Sequence, residues 1–137
     1  MKPEFVDFQE HGDVRGQLVA LEENKNIPFP IKRVYFMYDT VEGVVRGKHA
    51  HRKLHQVLFC VAGACTIHLD DGREKVDVRL DQPSRGLLIG PGMWREMYDF
   101  TPGAVLMVLA SEYYEESDYI RDYDEFLREV QKDGDEA

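Results

Sequence analysis

Apolar and polar residues alternate with a period of two over most of the chain, in short runs at 5–8, 18–22, 31–39, 56–61, 65–69, 75–80, 86–89, 95–100 and 104–110. Alternation of this kind places one set of side chains on each face of an extended strand. Turn residues punctuate the runs at Ala62-Gly63, Asp70-Asp71-Gly72, Pro91-Gly92 and Thr101-Pro102-Gly103, with Asp71-Gly72 a favourable hairpin turn. Many short strands at regular spacing predict an all-β antiparallel sandwich or barrel. After Ser111 the period changes. Tyr119, Ile120, Tyr123, Phe126, Leu127 and Val130 fall on one stripe at helical spacing, which predicts a C-terminal helix over 117–131 that covers the barrel or a neighbouring subunit. Ser117 is the expected cap, with Asp118 in the first turn.

The 137 residues suit a single domain, a β-barrel over 1–111 followed by that helix. Seventeen basic residues against 26 acidic ones give a net charge of −9, which disfavours a broad footprint on nucleic acid. Neither a signal peptide nor a membrane span is apparent, so a cytoplasmic protein without a membrane partner is expected. Cys60 and Cys65 lack the Cys-x-x-Cys spacing of a zinc or redox site and are expected to be buried, reduced thiols.

The segment GVVRGKHAHRKLHQVLFCVAG, from Gly43, concentrates the candidate chemistry. His49 and His51, two apart, point to the same face of a strand and can act on one ligand. The spacing of Gly43, His49, His51 and Gly63 resembles the first cupin motif, in which two histidines, a glutamate and a later histidine bind a metal. Here Gln56 occupies the glutamate position, and Arg95 stands near the expected later histidine. A neutral amide and a permanent cation are poor replacements, so no metal is expected and the pair is free for acid–base work. Arg46, Lys48, Arg52 and Lys53 flank the pair and make a basic patch in an acidic chain, a contrast that points to a phosphate or diphosphate ligand. Imidazole titrates near neutrality, so one ring can accept a proton while another supplies one.

The stretches DVRGQLVALEENKNIPFPIKRVYFMYD, RGKHAHRKLHQVLFCVAG, GLLIGPGMWREMYDF and VLMVLASEYYEESDYIRDYDEF resemble the dTDP-4-keto-6-deoxy-D-glucose 3,4-ketoisomerases, small metal-free cupins of deoxysugar biosynthesis. The resemblance implies a jelly-roll barrel and a homodimer in which an N-terminal strand joins the partner's sheet. It also implies movement of the sugar's keto group from carbon 4 to carbon 3 through an enediol, with no cofactor. Carried onto this chain, His49 and His51 are the catalytic pair, with His51 favoured as the carbon-3 base. Tyr35 lies near the sugar, unless it is only an alternating strand aromatic. Arg15, Arg33, Arg46 and Lys53 are candidates to hold the diphosphate or sugar oxygens. Gln17, Gln56, Trp94 and Arg95 are expected to line the pocket. Some relatives carry histidine where this chain has Arg95; an arginine cannot usefully supply a proton, which favours the gluco over the galacto product. A metal-dependent cupin and a non-catalytic sugar-nucleotide binding module are the competing readings, and the 3,5-epimerases share the barrel.

Overall fold

The computed structural model describes residues 1–136, with side chains through Lys132. Its strands, in chain order, are β1 (Glu4–Asp7), β2 (Glu10–Asp13), β3 (Gly16–Val19), β4 (Arg33–Met37), β5 (Arg46–His51) and β6 (Gln56–Ala62). They continue with β7 (Cys65–Asp70), β8 (Lys75–Leu80), β9 (Arg85–Ile89), β10 (Trp94–Tyr98), β11 (Val105–Ala110) and β12 (Tyr119–Ile120), before helix α1 (Tyr123–Glu136). One five-stranded sheet has the order β1-β9-β6-β11-β4 and the other β12-β5-β10-β7-β8; β2 and β3 form a separate hairpin. Every pairing between named strands is antiparallel, and the two sheets enclose one interior, the jelly-roll barrel of a cupin.

Alternation along each strand sorts the side chains. Leu58 and Cys60 of β6, Leu106 and Val108 of β11, and Leu87 and Ile89 of β9 meet Cys65, Ile67 and Leu69 of β7 and Val78 and Leu80 of β8 between the sheets. On the outer face of the first sheet, Val57, Phe59 and Leu109 are covered by Ile27 and Phe29 from the loop before β4. On the outer face of the second, Ala50 and Trp94 lie beneath Ile120 and Phe126. Burial of these apolar groups is the main stabilising term.

The C-terminal segment departs from the expected helix over 117–131. Residues Glu116–Asp118 form one 3-10 turn, and Tyr119 and Ile120 pair as strand with His51 and Ala50. The α-helix starts only at Tyr123. Its cap is Asp122, not Ser117: the Asp122 carboxylate accepts from the Glu125 N–H at 3.1 Å, and its carbonyl from the Phe126 N–H at 3.0 Å. The stripe is indeed packing surface from Ile120 onward, but backbone pairing to β5 overrides helical periodicity at its start.

Candidate active site

The inner face of the barrel changes character toward one end. Arg33 and Tyr35 of β4, Gln56 of β6, His49 and His51 of β5 and Arg95 of β10 replace the aliphatic side chains there. Register brings Arg95 opposite His49. A bulge between β5 and β10 sets that pairing, since Arg95 faces His49 whereas Met97 faces Arg46. Gly47 sits at this irregularity with φ of 65°, and a Cβ on it would lie 3.1 Å from the Met97 sulfur. Glycine is favoured there, because the left-handed φ suits few side chains and a Cβ would press on Met97.

Arg95 is fully buried, and each of its three guanidinium nitrogens donates to a partner within the chain. Nη1 donates to the Gln56 side-chain oxygen; Nη2 and Nε donate to the Met93 carbonyl at 3.0 and 3.2 Å. The Gln56 amide nitrogen in turn donates to the Tyr35 hydroxyl at 2.9 Å. The two positions where metal-binding cupins carry ligands are thus joined to each other, and among the described residues no three His, Cys, Asp or Glu side chains converge to hold a metal ion. Burial brings the guanidinium down to about 10, still cationic at neutral pH, while burial pushes the Tyr35 phenol up.

The imidazoles of His49 and His51 stand edge to face with centroids 4.8 Å apart. Burial, followed by the charge of Arg95, depresses His49 to about 2 and His51 to about 3, so both rings are neutral at neutral pH. The Nε2 atoms of both are buried without a hydrogen-bond partner, as is Nε of Arg33. Orphaned buried polar atoms are costly, and three gathered at one end of a barrel mark a place built for a polar ligand.

Not every residue expected at the site is there. Trp94, next to Arg95 in a strand, points to the opposite face; its ring packs on Tyr123 and Phe126 and its indole N–H donates to Glu96 at 3.0 Å. It is core beneath α1 rather than pocket lining. Lys53 is exposed and paired with Glu115 at 2.9 Å, tying down the segment before the 3-10 turn. Arg46 is exposed at the start of β5. Arg15 and Gln17 lie in the exposed β2–β3 hairpin, where Arg15 pairs with Asp13 at 2.6 Å; within this chain the hairpin stands outside the barrel. Arg33 does reach the site, its guanidinium 5.3 Å from the Tyr35 ring centroid and 5.6 Å from that of Tyr114.

The folded chain adds residues that sequence patterns did not single out. Tyr119 lies 5.0 Å from the His49 ring and 4.4 Å from the His51 ring, centroid to centroid. The Arg121 guanidinium lies over the Tyr119 ring, 4.3 Å from its centroid, and forms a two-pronged pair with Glu116, at 2.8 and 3.0 Å. Asp118 accepts from His51 Nδ1 at 3.1 Å. These groups are remote from β5 in sequence; the helical stripe misassigned them, and the family resemblance covered their segment without giving them a role.

A cupin barrel that gathers two buried neutral histidines beside a buried arginine defines a β-barrel protein with a candidate acid–base site, whose reaction the fold alone does not name. Comparison with known proteins makes the assignment specific. Residues 1–131 match the family described as FdtA: WxcM-like, C-terminal. The chain is 52% identical over 132 residues to the TDP-4-oxo-6-deoxy-alpha-D-glucose-3,4-oxoisomerase of Aneurinibacillus thermoaerophilus, covering 96% of this chain and 95% of that protein. A 3,4-ketoisomerase from Helicobacter canadensis superposes with a TM-score of 0.92 at 52% identity, over 96% of this chain and 98% of that one. A mutant 3,4-ketoisomerase of Thermoanaerobacterium thermosaccharolyticum, solved with TDP-4-keto-6-deoxyglucose, superposes with a TM-score of 0.93 at 47% identity, over 95% and 94% of the two chains. The chain belongs to the FdtA, WxcM-like family and is a sugar 3,4-ketoisomerase.

Proposed function

We propose that the substrate is dTDP-4-keto-6-deoxy-D-glucose and that His49 and His51 carry out its two proton transfers. The observation that carries this reading is the pair of neutral imidazoles, each with a buried Nε2 lacking a partner, beside a buried guanidinium. The ketone at carbon 4 acidifies the hydrogen at carbon 3. One ring removes that proton to give an enediolate, and the other carries a proton between the oxygens on carbons 3 and 4. Carbon 4 then takes a proton derived from solvent and the first ring releases its own to solvent, so that both rings return to neutral as the exchange is completed. Carbon 3 is oxidised as carbon 4 is reduced, so the step needs no external electron acceptor. Charge building on the substrate oxygens is favoured near Arg95, and the same charge makes a transient imidazolium less costly than in the empty barrel. Tyr35, held by Gln56, is placed to bond a sugar oxygen, and Arg33 to receive an anionic one.

Arg95 supports the gluco product. Each of its guanidinium nitrogens already donates to Gln56 or Met93, and an arginine cannot protonate carbon 4 from its own face at a useful rate. We assign the protein to the cytoplasm; among the described residues no helix is long and apolar enough to cross a membrane. A homodimer that exchanges N-terminal strand segments is supported by two exposed features: the β2–β3 hairpin with Val14 and Leu18, and the edge strand β4 with Val34 and Phe36. Incubation with the keto sugar in deuterated water, followed by NMR of the product, tests the chemistry. A 3-keto product with deuterium at carbon 4 and the gluco configuration is expected. No turnover refutes the substrate, and the galacto epimer refutes the role given to Arg95. Light scattering at a dimer's mass is expected; a monomer's mass refutes strand exchange.

A further inference from the structure

We propose that Asp118 is a positioning residue for the isomerisation: it holds the His51 ring in the tautomer whose bare nitrogen faces the substrate, an inference that rests on the proton-transfer role given to His51 above. Asp118 is buried, and both of its carboxylate oxygens are used. One accepts from the backbone N–H of Lys53 at 2.8 Å, and the other meets His51 Nδ1 at 3.1 Å. A carboxylate offers only acceptors, so the shared hydrogen must sit on Nδ1. The lone pair then resides on Nε2, the atom that is buried and unpartnered inside the barrel.

The carboxylate is itself fixed in place. Its residue ends the 3-10 turn that closes onto β5; its carbonyl accepts from the Arg52 N–H at 3.0 Å, and the Arg52 side chain binds the carbonyls of Ser117 and Tyr119 at 2.7 and 3.0 Å. Tyr119, paired in register with His51, lays its ring against the imidazole. Were Asp118 present only to fasten the turn, the bond to Lys53 N–H would suffice, yet its second oxygen is spent on the imidazole. His49 has no comparable hydrogen bond among the described residues. The two rings are therefore inequivalent: His51 is oriented, tautomerically fixed and backed by a group that stabilises it when it carries an extra proton.

Nitrogen NMR of the full-length, 15N-labelled protein reads the tautomer directly. Wild-type His51 is expected to carry Nδ1–H. In Asp118→Asn the amide oxygen can still accept from Lys53, while the amide N–H2 facing His51 forces the hydrogen to Nε2. Turnover of the keto sugar should then fall by at least about a hundredfold, with dTDP affinity unchanged within about threefold. Combined with His51→Asn, the Asp118 substitution should cost nothing further, because both act through one ring. An Nε2–H tautomer in the wild type, or an Asn variant that turns over within about threefold of wild type, overturns the proposal. If the variant does not fold, the wild-type spectrum alone decides. Failure of the wild type to convert the sugar refutes the substrate assignment, whereas the tautomer is read without substrate.

Discussion

The inner face of β6 passes from Gln56 through Leu58 to Cys60, and over that distance the barrel turns from a polar end into an apolar one. At the apolar end Cys60 and Cys65 bring their sulfurs to 3.6 Å within the aliphatic cluster of Ile67, Leu80 and Leu106. At the other end a guanidinium, an amide and two imidazoles are buried together beside the half-buried Tyr35 phenol. Both ends are built by one period-two alternation, yet they solve opposite problems. The apolar end gains stability by removing carbon from water. The polar end loses stability by burying groups that want water, recovers part of it through the Arg95–Gln56–Tyr35 chain and the His51–Asp118 pair, and leaves three polar atoms without partners. A fold that tolerates this cost in one half depends on the close packing of the other.

Substitutions at the two ends should separate activity from stability. The largest effect is expected for His49→Asn and His51→Asn, each lowering turnover by about two to four orders of magnitude while dTDP binding, measured by calorimetry, stays intact. Near-full activity in either variant would remove that ring from the mechanism. Next, Leu106→Ala at the apolar end should cost about 2–5 kcal/mol in urea unfolding, with turnover per folded molecule preserved. Between about pH 6.5 and pH 4.5 acid should act chiefly on the polar end. His49 and His51 have folded values far below the unfolded value near 6.5, so the unfolded chain binds more protons as pH drops below that point. Stability should therefore fall from about pH 6.5 toward pH 4.5, by up to about 1.4 kcal/mol per pH unit for each ring, and the slope should flatten in the double Asn variant. A flat profile in the wild type would contradict the neutral burial of the pair. Arg33→Ala should raise KM for the keto sugar with kcat preserved, as expected for an anion contact made equally before and during reaction. Smallest of all, Lys53→Ala should leave dTDP affinity unchanged, since Lys53 is exposed and engaged with Glu115.

Much of the site is legible along the chain because it obeys strand geometry. His49 and His51 share a face through their spacing of two, and Gln56 and Arg95 are recognisable as unsuited to metal binding from residue chemistry alone. The same rule locates Trp94 correctly only once the inward face of β10 is known: if Arg95 points in, Trp94 points out. Strand β2, with the exposed sequence Glu-His-Gly-Asp, carries no apolar alternation, so nothing marks it before β3 pairs with it.

The barrel, the histidine pair and the identity of the residues beside it were determined by sequence, because alternation and residue chemistry are local properties. Which groups complete the pair was decided by the tertiary structure. Asp118 and Tyr119 reach His51 from 67 and 68 positions away only because Tyr119 and Ile120 hydrogen-bond to β5 as a strand, and a backbone pairing between distant segments leaves no period in either one. The stripe that suggested a helix from 117 is real, but a two-residue strand and an aspartate cap at 122 interrupt it, since the edge of β5 offered those residues partners that an isolated helix could not.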